Sequence, residues 1–229
     1  MLVTAVILNY YKERIPYLVP IVDSLMTGSK APDKIIIWNN DPTANLPAFG
    51  YGDKVEVIPS CYNIGCFGRY LVSYSIPNGR CLFIDNDLIF GPYLLEQMMH
   101  TKDAVGADIV GIIGRKVYQN HPHPYLTSDI TSGNVDIVVG RASLVSSFYA
   151  RTIVQYAFSQ KLTDHMFRCD DIIASCFALR GFKYVIKAQD GKDYFSLDEK
   201  NIGLSFDAQH YKVRDALVKE LLAQGRFKQ

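Results

Sequence analysis

Along this chain, short and mostly apolar runs alternate with longer stretches whose apolar residues recur at helical spacing. Val3 to Leu8, Lys34 to Trp38, Val55 to Ile58 and Arg80 to Ile84 are runs of strand length. Ile15 to Met26 sets Ile15, Leu18, Val19, Val22 and Leu25 on one helical face, and Arg69 to Ile76 reads as a second helix. A strand with one face in water alternates; one that does not alternate is covered on both sides, as parallel strands under helices are. The expectation is an α/β fold: one Rossmann-like domain with a mostly parallel central sheet flanked by helices. Ligands of such sheets bind beyond the carboxyl ends of the strands.

The pattern continues past Pro92, with helices expected at Tyr93 to Val105, Ser146 to Gln160, Asp170 to Leu179 and Ala208 to Gln224. Further strands are expected at Ile109 to Ile113, Val135 to Val139 and Lys183 to Lys187. Between them, Arg115 to Asn134 is long, polar and rich in Pro and His, as binding loops are. With no repeat and no linker, residues 1–229 read as one domain: a nucleotide-binding half to about residue 90, then an acceptor-binding half ending in a helix.

Composition narrows the function. Hydrophobic residues at 48% and charged residues at 21% exclude disordered, collagen-like and coiled-coil chains. A net charge of +1 gives no overall field for holding nucleic acid or an anionic membrane. No window approaches the ~18 apolar residues of a membrane span. There is no basic leader with a cleavage site, so a soluble cytoplasmic protein is expected. Five cysteines without a CxxC pair read as buried thiols.

Three polar clusters interrupt this apolar text. Asp85, Asn86 and Asp87 sit inside the run from Cys81 to Phe90, where carboxylates must lie at an open strand end or hold a cation. Residues at i and i+2 of a strand share a face, so Asp85 and Asp87 are expected to converge on Mg²⁺ or Mn²⁺; the other reading is an Asx turn. Asp170 and Asp171 open a helix, where one can cap it and the other face a cleft as base or electrostatic partner. His210 and Arg214, at i and i+4, offer a nitrogen ligand and an anion-binding fork on one helical face.

In order, the chain carries Leu8-Asn9-Tyr10, Ile37-Trp38-Asn39-Asn40, Ile84-Asp85-Asn86-Asp87, Val110-Gly111 with Arg115-Lys116, Ser132-Gly133-Asn134, Val138-Val139-Gly140, Cys169-Asp170-Asp171-Ile172, and His210 with Arg214. This series resembles the GT-A fold nucleotide-sugar glycosyltransferases, most closely the exostosin C-terminal domain family of hexosaminyltransferases. The resemblance implies that Asp87 and Asp85 hold Mn²⁺ or Mg²⁺ on the donor diphosphate, with His210 as a third ligand. It implies a nucleoside pocket lined by Asn9, Tyr10, Asn39 and Asn40, with Arg69 near the nucleotide and Asn86 on the same shelf. Asp171, beside Asp170, would be the carboxylate next to the transferred sugar, and Arg214 the arginine on the diphosphate. The family has Asn before Cys-Asp-Asp, where this chain has Arg168.

The activity so implied is transfer of a sugar from a nucleotide-sugar, first of all a UDP-sugar, to a hydroxyl acceptor with retention; a carboxylate at this place also serves as base in inverting relatives. The acceptor would be a glycan, with a modified nucleic-acid base left open through a basic patch of Lys183, Lys187, Arg226 and Lys228. Two other readings are a nucleotidyltransferase, disfavoured because residues 9–14 contain no glycine, and a non-catalytic sugar-nucleotide-binding protein. His121 and His123 read as a polar acceptor-side loop, and Tyr118, Tyr125, Phe148 and Tyr149 as core or sugar-stacking aromatics.

Overall fold

The computed structural model describes residues 1–177, 181–197 and 202–227, except the side chains of Thr163 and Ser205. In chain order its strands are β1 (Val3–Asn9), β2 (Lys34–Asn39), β3 (Val55–Pro59), β4 (Arg80–Asp85), β5 (Leu88–Phe90), β6 (Ile109–Gly111), β7 (Gly114–Arg115), β8 (Asp129–Ile130), β9 (Gly133–Asn134), β10 (Ile137–Val138), β11 (Ala142–Ser146), β12 (Lys183–Val185) and β13 (Tyr194–Ser196). The helices are α1 (Ile15–Thr27), α2 (Gly68–Leu71), α3 (Leu94–Val105), α4 (Ser147–Ser159), α5 (Met166–Phe177) and α6 (His210–Ala223).

Eight strands form one sheet in the order β3-β2-β1-β4-β11-β6-β12-β9. The neighbours from β3 through β4, and β6 with β12, are parallel, giving the mostly parallel α/β sheet that the continuous apolar runs predict. Both faces are covered except at the edge strand β3, where Glu56 and Val57 are exposed. Ala5, Ile7, Ile35, Ile37, Leu82 and Ile84 pack against α1 and α3, while Val6, Ile36, Cys81 and Phe83 point to the opposite core with α2, α4, α5 and α6.

The departures from expectation have local causes. The segment expected as a helix from Arg69 to Ile76 makes one α-turn and continues as a 3-10 helix at Val72–Ser75. The strand expected at Val135 to Val139 shrinks to Ile137–Val138, paired with β7 in a separate three-stranded sheet. α5 begins before Asp170, at Met166, and bends at Cys169, whose φ of −131° is not helical; Leu179 lies outside the described residues. β11 is missing from the sequence reading. It lies antiparallel between β4 and β6 and leads directly into α4, whose first turn is capped by Ser146 Oγ accepting from Tyr149 N–H at 3.1 Å.

Candidate active site

A cleft of about 770 Å³ opens at the carboxyl ends of β1 and β4 and against α5 and α6, where open α/β sheets keep their ligands. Its charged lining is six arginines (Arg14, Arg69, Arg115, Arg141, Arg168, Arg214) and six aspartates (Asp85, Asp87, Asp129, Asp170, Asp171, Asp207), with no lysine or glutamate among the described residues. Burying charges in such numbers requires pairing, and the guanidinium fork pairs with carboxylates better than an ammonium does.

On the floor, β4 ends at Asp85 and the chain turns through Asn86 and Asp87 into β5. In that turn the two carboxylates have different arginine partners. Asp85 Oδ1 accepts from Arg69 Nη2 at 2.8 Å, whereas Asp87 Oδ2 lies 2.9 Å from Arg14 Nη1. Arg14 also donates to Asn86 Oδ1 at 3.2 Å and to the Ile202 carbonyl. Behind the wall, Asn86 donates to Asn9 at 3.1 Å and Asn9 to Asn39 at 2.9 Å, a buried amide chain that braces the turn. Asn9 and Asn39 therefore stand behind the cleft lining, while Tyr10, Asn40 and Asn86 are on it. Asn40 Oδ1 accepts from Trp38 Nε1 at 2.8 Å and its Nδ2 donates to Gly65 O at 2.8 Å, tying the end of β2 to the turn before α2. That turn requires glycine twice over: Gly65 has φ +69°, and a Cβ there would stand 2.6 Å from Phe167.

Arg69 is the central cation. Its Nη1 donates to Gly140 O at 2.9 Å, and its Nε faces Asp170 Oδ2 at 3.3 Å without hydrogen-bond alignment. Burial pushes the Asp170 carboxyl up to about 6 despite Arg69. Asp171 goes the other way: burial would raise it, but Arg214 and the N–H groups of Gly140 and Ile172 outweigh burial and hold it below the usual carboxylate range. Arg214 Nη2 reaches both Asp171 oxygens, at 2.8 and 2.6 Å, and its Nη1 donates to Arg168 O at 2.6 Å. Burial, seconded by Arg214, lowers His210 to about 4, so its imidazole is neutral at neutral pH, and its Nδ1 is buried without a hydrogen-bond partner.

Among the described residues, no three or more His, Cys, Asp or Glu side chains gather as a metal site. Asp85 and Asp87 remain two hard oxygen donors on the cleft wall, a set that fits a divalent ion when substrate oxygens complete its shell. His121 and His123 bond within their loop and to Asp215, not to a shared centre. Of the expected basic patch, Lys183 is buried, donating to Ser175 O at 3.1 Å, and Lys228 lies outside the described residues. Sequence reasoning missed Arg14, whose partner is distant in the chain, and Arg141, whose Nη2 donates to Ser196 Oγ at 2.8 Å.

Solved structures share this architecture. S. aureus TarS 1-349 in complex with UDP-GlcNAc matches with a TM-score of 0.60 and 13% identity, over 95% of this chain and 66% of that one. The same fragment in complex with UDP matches at 0.55 and 13%, over 86% of this chain and 60% of that one. S. aureus TarS matches at 0.58 and 13%, over 98% of this chain and 42% of that one, so this chain spans less than two thirds of each. At such identity the likeness is one of fold. A search of curated proteins gave no match. No helix among the described residues is long and apolar enough to cross a membrane. A family model, that of the glycosyl transferase family 64 domain, matches residues 3–225, and the chain belongs to that family.

Proposed function

We propose that this glycosyltransferase moves a hexosyl-type sugar from a UDP-sugar to an acceptor hydroxyl, with Mn²⁺ or Mg²⁺ held on Asp87 and Asp85 and His210 nearby. The observation that carries the reading is the charge balance of the cleft: six arginines against six aspartates, with His210 neutral. A diphosphate would bring about two negative charges that this wall does not neutralise, and a divalent cation held by Asp85 and Asp87 would balance them and the charge of the leaving group. UDP-GlcNAc and UDP complexes of the similarly folded TarS support the choice of nucleotide.

Within that frame the residues divide the work. Arg14 and Arg69 fix the acidic shelf, and Asn40 and Tyr10 border the nucleoside end. Arg214 and Asp171 form the pair beside the transferred sugar. Arg214 Nη2 lies within hydrogen-bond reach of both Asp171 oxygens and holds the carboxyl in its ionised form, which disfavours it as the proton acceptor. It is suited instead to face positive charge developing at the sugar, which supports retention. Asp170, close behind, completes the anionic floor. We place residues 1–229 as one working unit, with the Arg115 to Asn134 loop on the acceptor side and a glycan as acceptor. Lys183, being buried, adds nothing to a nucleic-acid surface. The five cysteines, all free, support a reducing, cytoplasmic setting.

The test is a thermal-shift panel of UDP-, GDP-, ADP- and CMP-sugars with Mn²⁺, since a ligand that binds the native state raises its melting temperature. UDP-sugars alone should shift it. A UDP-sugar shift of the same size without metal would remove the metal, and a shift with another nucleotide only would remove the UDP-sugar donor.

A further inference from the structure

The loop after β7 is fastened to α6 at the residue that follows Arg214. Asp215 accepts from Tyr125 N–H on Oδ1 at 3.1 Å, and its Oδ2 lies 3.1 Å from His123 Nδ1 and 2.9 Å from Lys219 Nζ. The loop is also closed on itself. Arg115 Nη1 donates to the Tyr125 carbonyl at 2.8 Å, and its Nη2 pairs with Asp129 at 3.0 Å. Tyr125, only 2% exposed, then presents its ring to two cations at once: the Arg214 guanidinium carbon is 4.5 Å from the ring centre and that of Arg115 is 4.6 Å away.

Arg214 needs such a neighbour. Its Nη groups are taken by Asp171 and the Arg168 carbonyl, but its Nε is buried with no hydrogen-bond acceptor. An aromatic ring is a weak acceptor for that N–H and an attractive surface for the charge. An aliphatic side chain would offer neither.

We propose that Tyr125 and Asp215 form a clamp through which the acceptor-side loop sets the pose of Arg214, making Tyr125 a positioning residue for the Arg214–Asp171 pair. The proposal rests on that pair being the reacting one. The long loop then acts at both substrates, because the segment that meets the acceptor also aligns the arginine that meets the donor.

Three variants test it: Tyr125→Leu, Tyr125→Phe and Asp215→Asn, each with arginine side chains labelled for NMR. In wild type and Tyr125→Phe, the Arg214 Nε–H should show slow solvent exchange and hindered rotation. In Tyr125→Leu these should be lost, and in Asp215→Asn weakened. In hydrolysis of UDP-GlcNAc with Mn²⁺, Tyr125→Leu should lower kcat at least about tenfold with KM little changed, the mark of misplacement without lost donor binding. Tyr125→Phe should stay within about twofold of wild type in kcat, because it keeps the ring. An unchanged Arg214 signal in Tyr125→Leu overturns the clamp. A wild type that binds no UDP-GlcNAc overturns the donor reading instead, and the Arg214 signal then decides the clamp on its own.

Discussion

Arg14 Nη1 and Asp87 Oδ2 meet 2.9 Å apart inside the cleft, joining the turn before α1 to the acidic turn after β4. Removing one member of a buried ion pair costs up to about 3–5 kcal/mol, and less where the remaining charge keeps other partners. Arg14→Met should lose stability in urea titration on that scale. Because a cation on Asp87 would replace the missing charge, saturating Mn²⁺ should recover part of the loss. The same loss with and without Mn²⁺ would show that Asp87 binds no cation.

Asp170 and His210 pull the pH dependence of stability in opposite directions. The Asp170 carboxyl, raised from 3.8 to about 6, holds its proton longer in the native state, so rising pH across that window costs stability. His210, lowered from 6.5 to about 4, is already neutral in the native state there, so rising pH across its window adds stability. Wild type should be nearly flat between the two limits. Asp170→Asn should grow more stable as pH rises, and His210→Gln less stable. Urea midpoints measured across the window between those values check both signs, and parallel curves for all three proteins would contradict them.

A Cβ on Gly68 would stand 2.5 Å from Trp38 Nε1, the nitrogen that donates to Asn40. Gly68→Ala should therefore push the indole aside, break the link from Asn40 to the Gly65 turn, and cost about 1–3 kcal/mol as overpacking does. Trp38 is the sole tryptophan, so its emission reports the shift directly. An unaltered spectrum together with unaltered UDP affinity would count against Asn40 as part of the nucleoside pocket.

Asp87→Ala and Asp171→Ala each remove one carboxylate from the cleft, and single electrostatic contributors to catalysis are worth about 10²-fold or more in turnover. Both variants should melt cooperatively yet turn over UDP-sugar about 10²-fold more slowly. Full activity in either one removes that residue from the machinery.

What could be read before the structure follows a physical divide. Runs such as Val3 to Leu8 announce β1 because burial on both faces is written into every position. Asp85, Asp87, Asp170, Asp171, His210 and Arg214 could be found because charge inside apolar text, or at a helix start, demands a reason, and all six line one cleft. Arg14 gave no such signal: it follows Lys12 and Glu13 like any surface charge, and its burial depends on a carboxylate brought to it only by the tertiary fold. β11 was hidden for another reason. Ala142 to Ser146 is short and carries two serines, so its burial comes from the strands on either side and not from its own hydrophobicity.

That inserted strand also bears on how the enzyme is made. During synthesis β1, β2 and β4 emerge from the ribosome long before Ala142, leaving the outer rim of β4 unsealed while the intervening loops are translated. An open rim recruits whatever strand is nearest, including one from a neighbouring nascent chain. The segment from Ala142 onward thus acts as the closing piece of the strands made before it, and a translation product halted before β11 would need a chaperone to stay in solution.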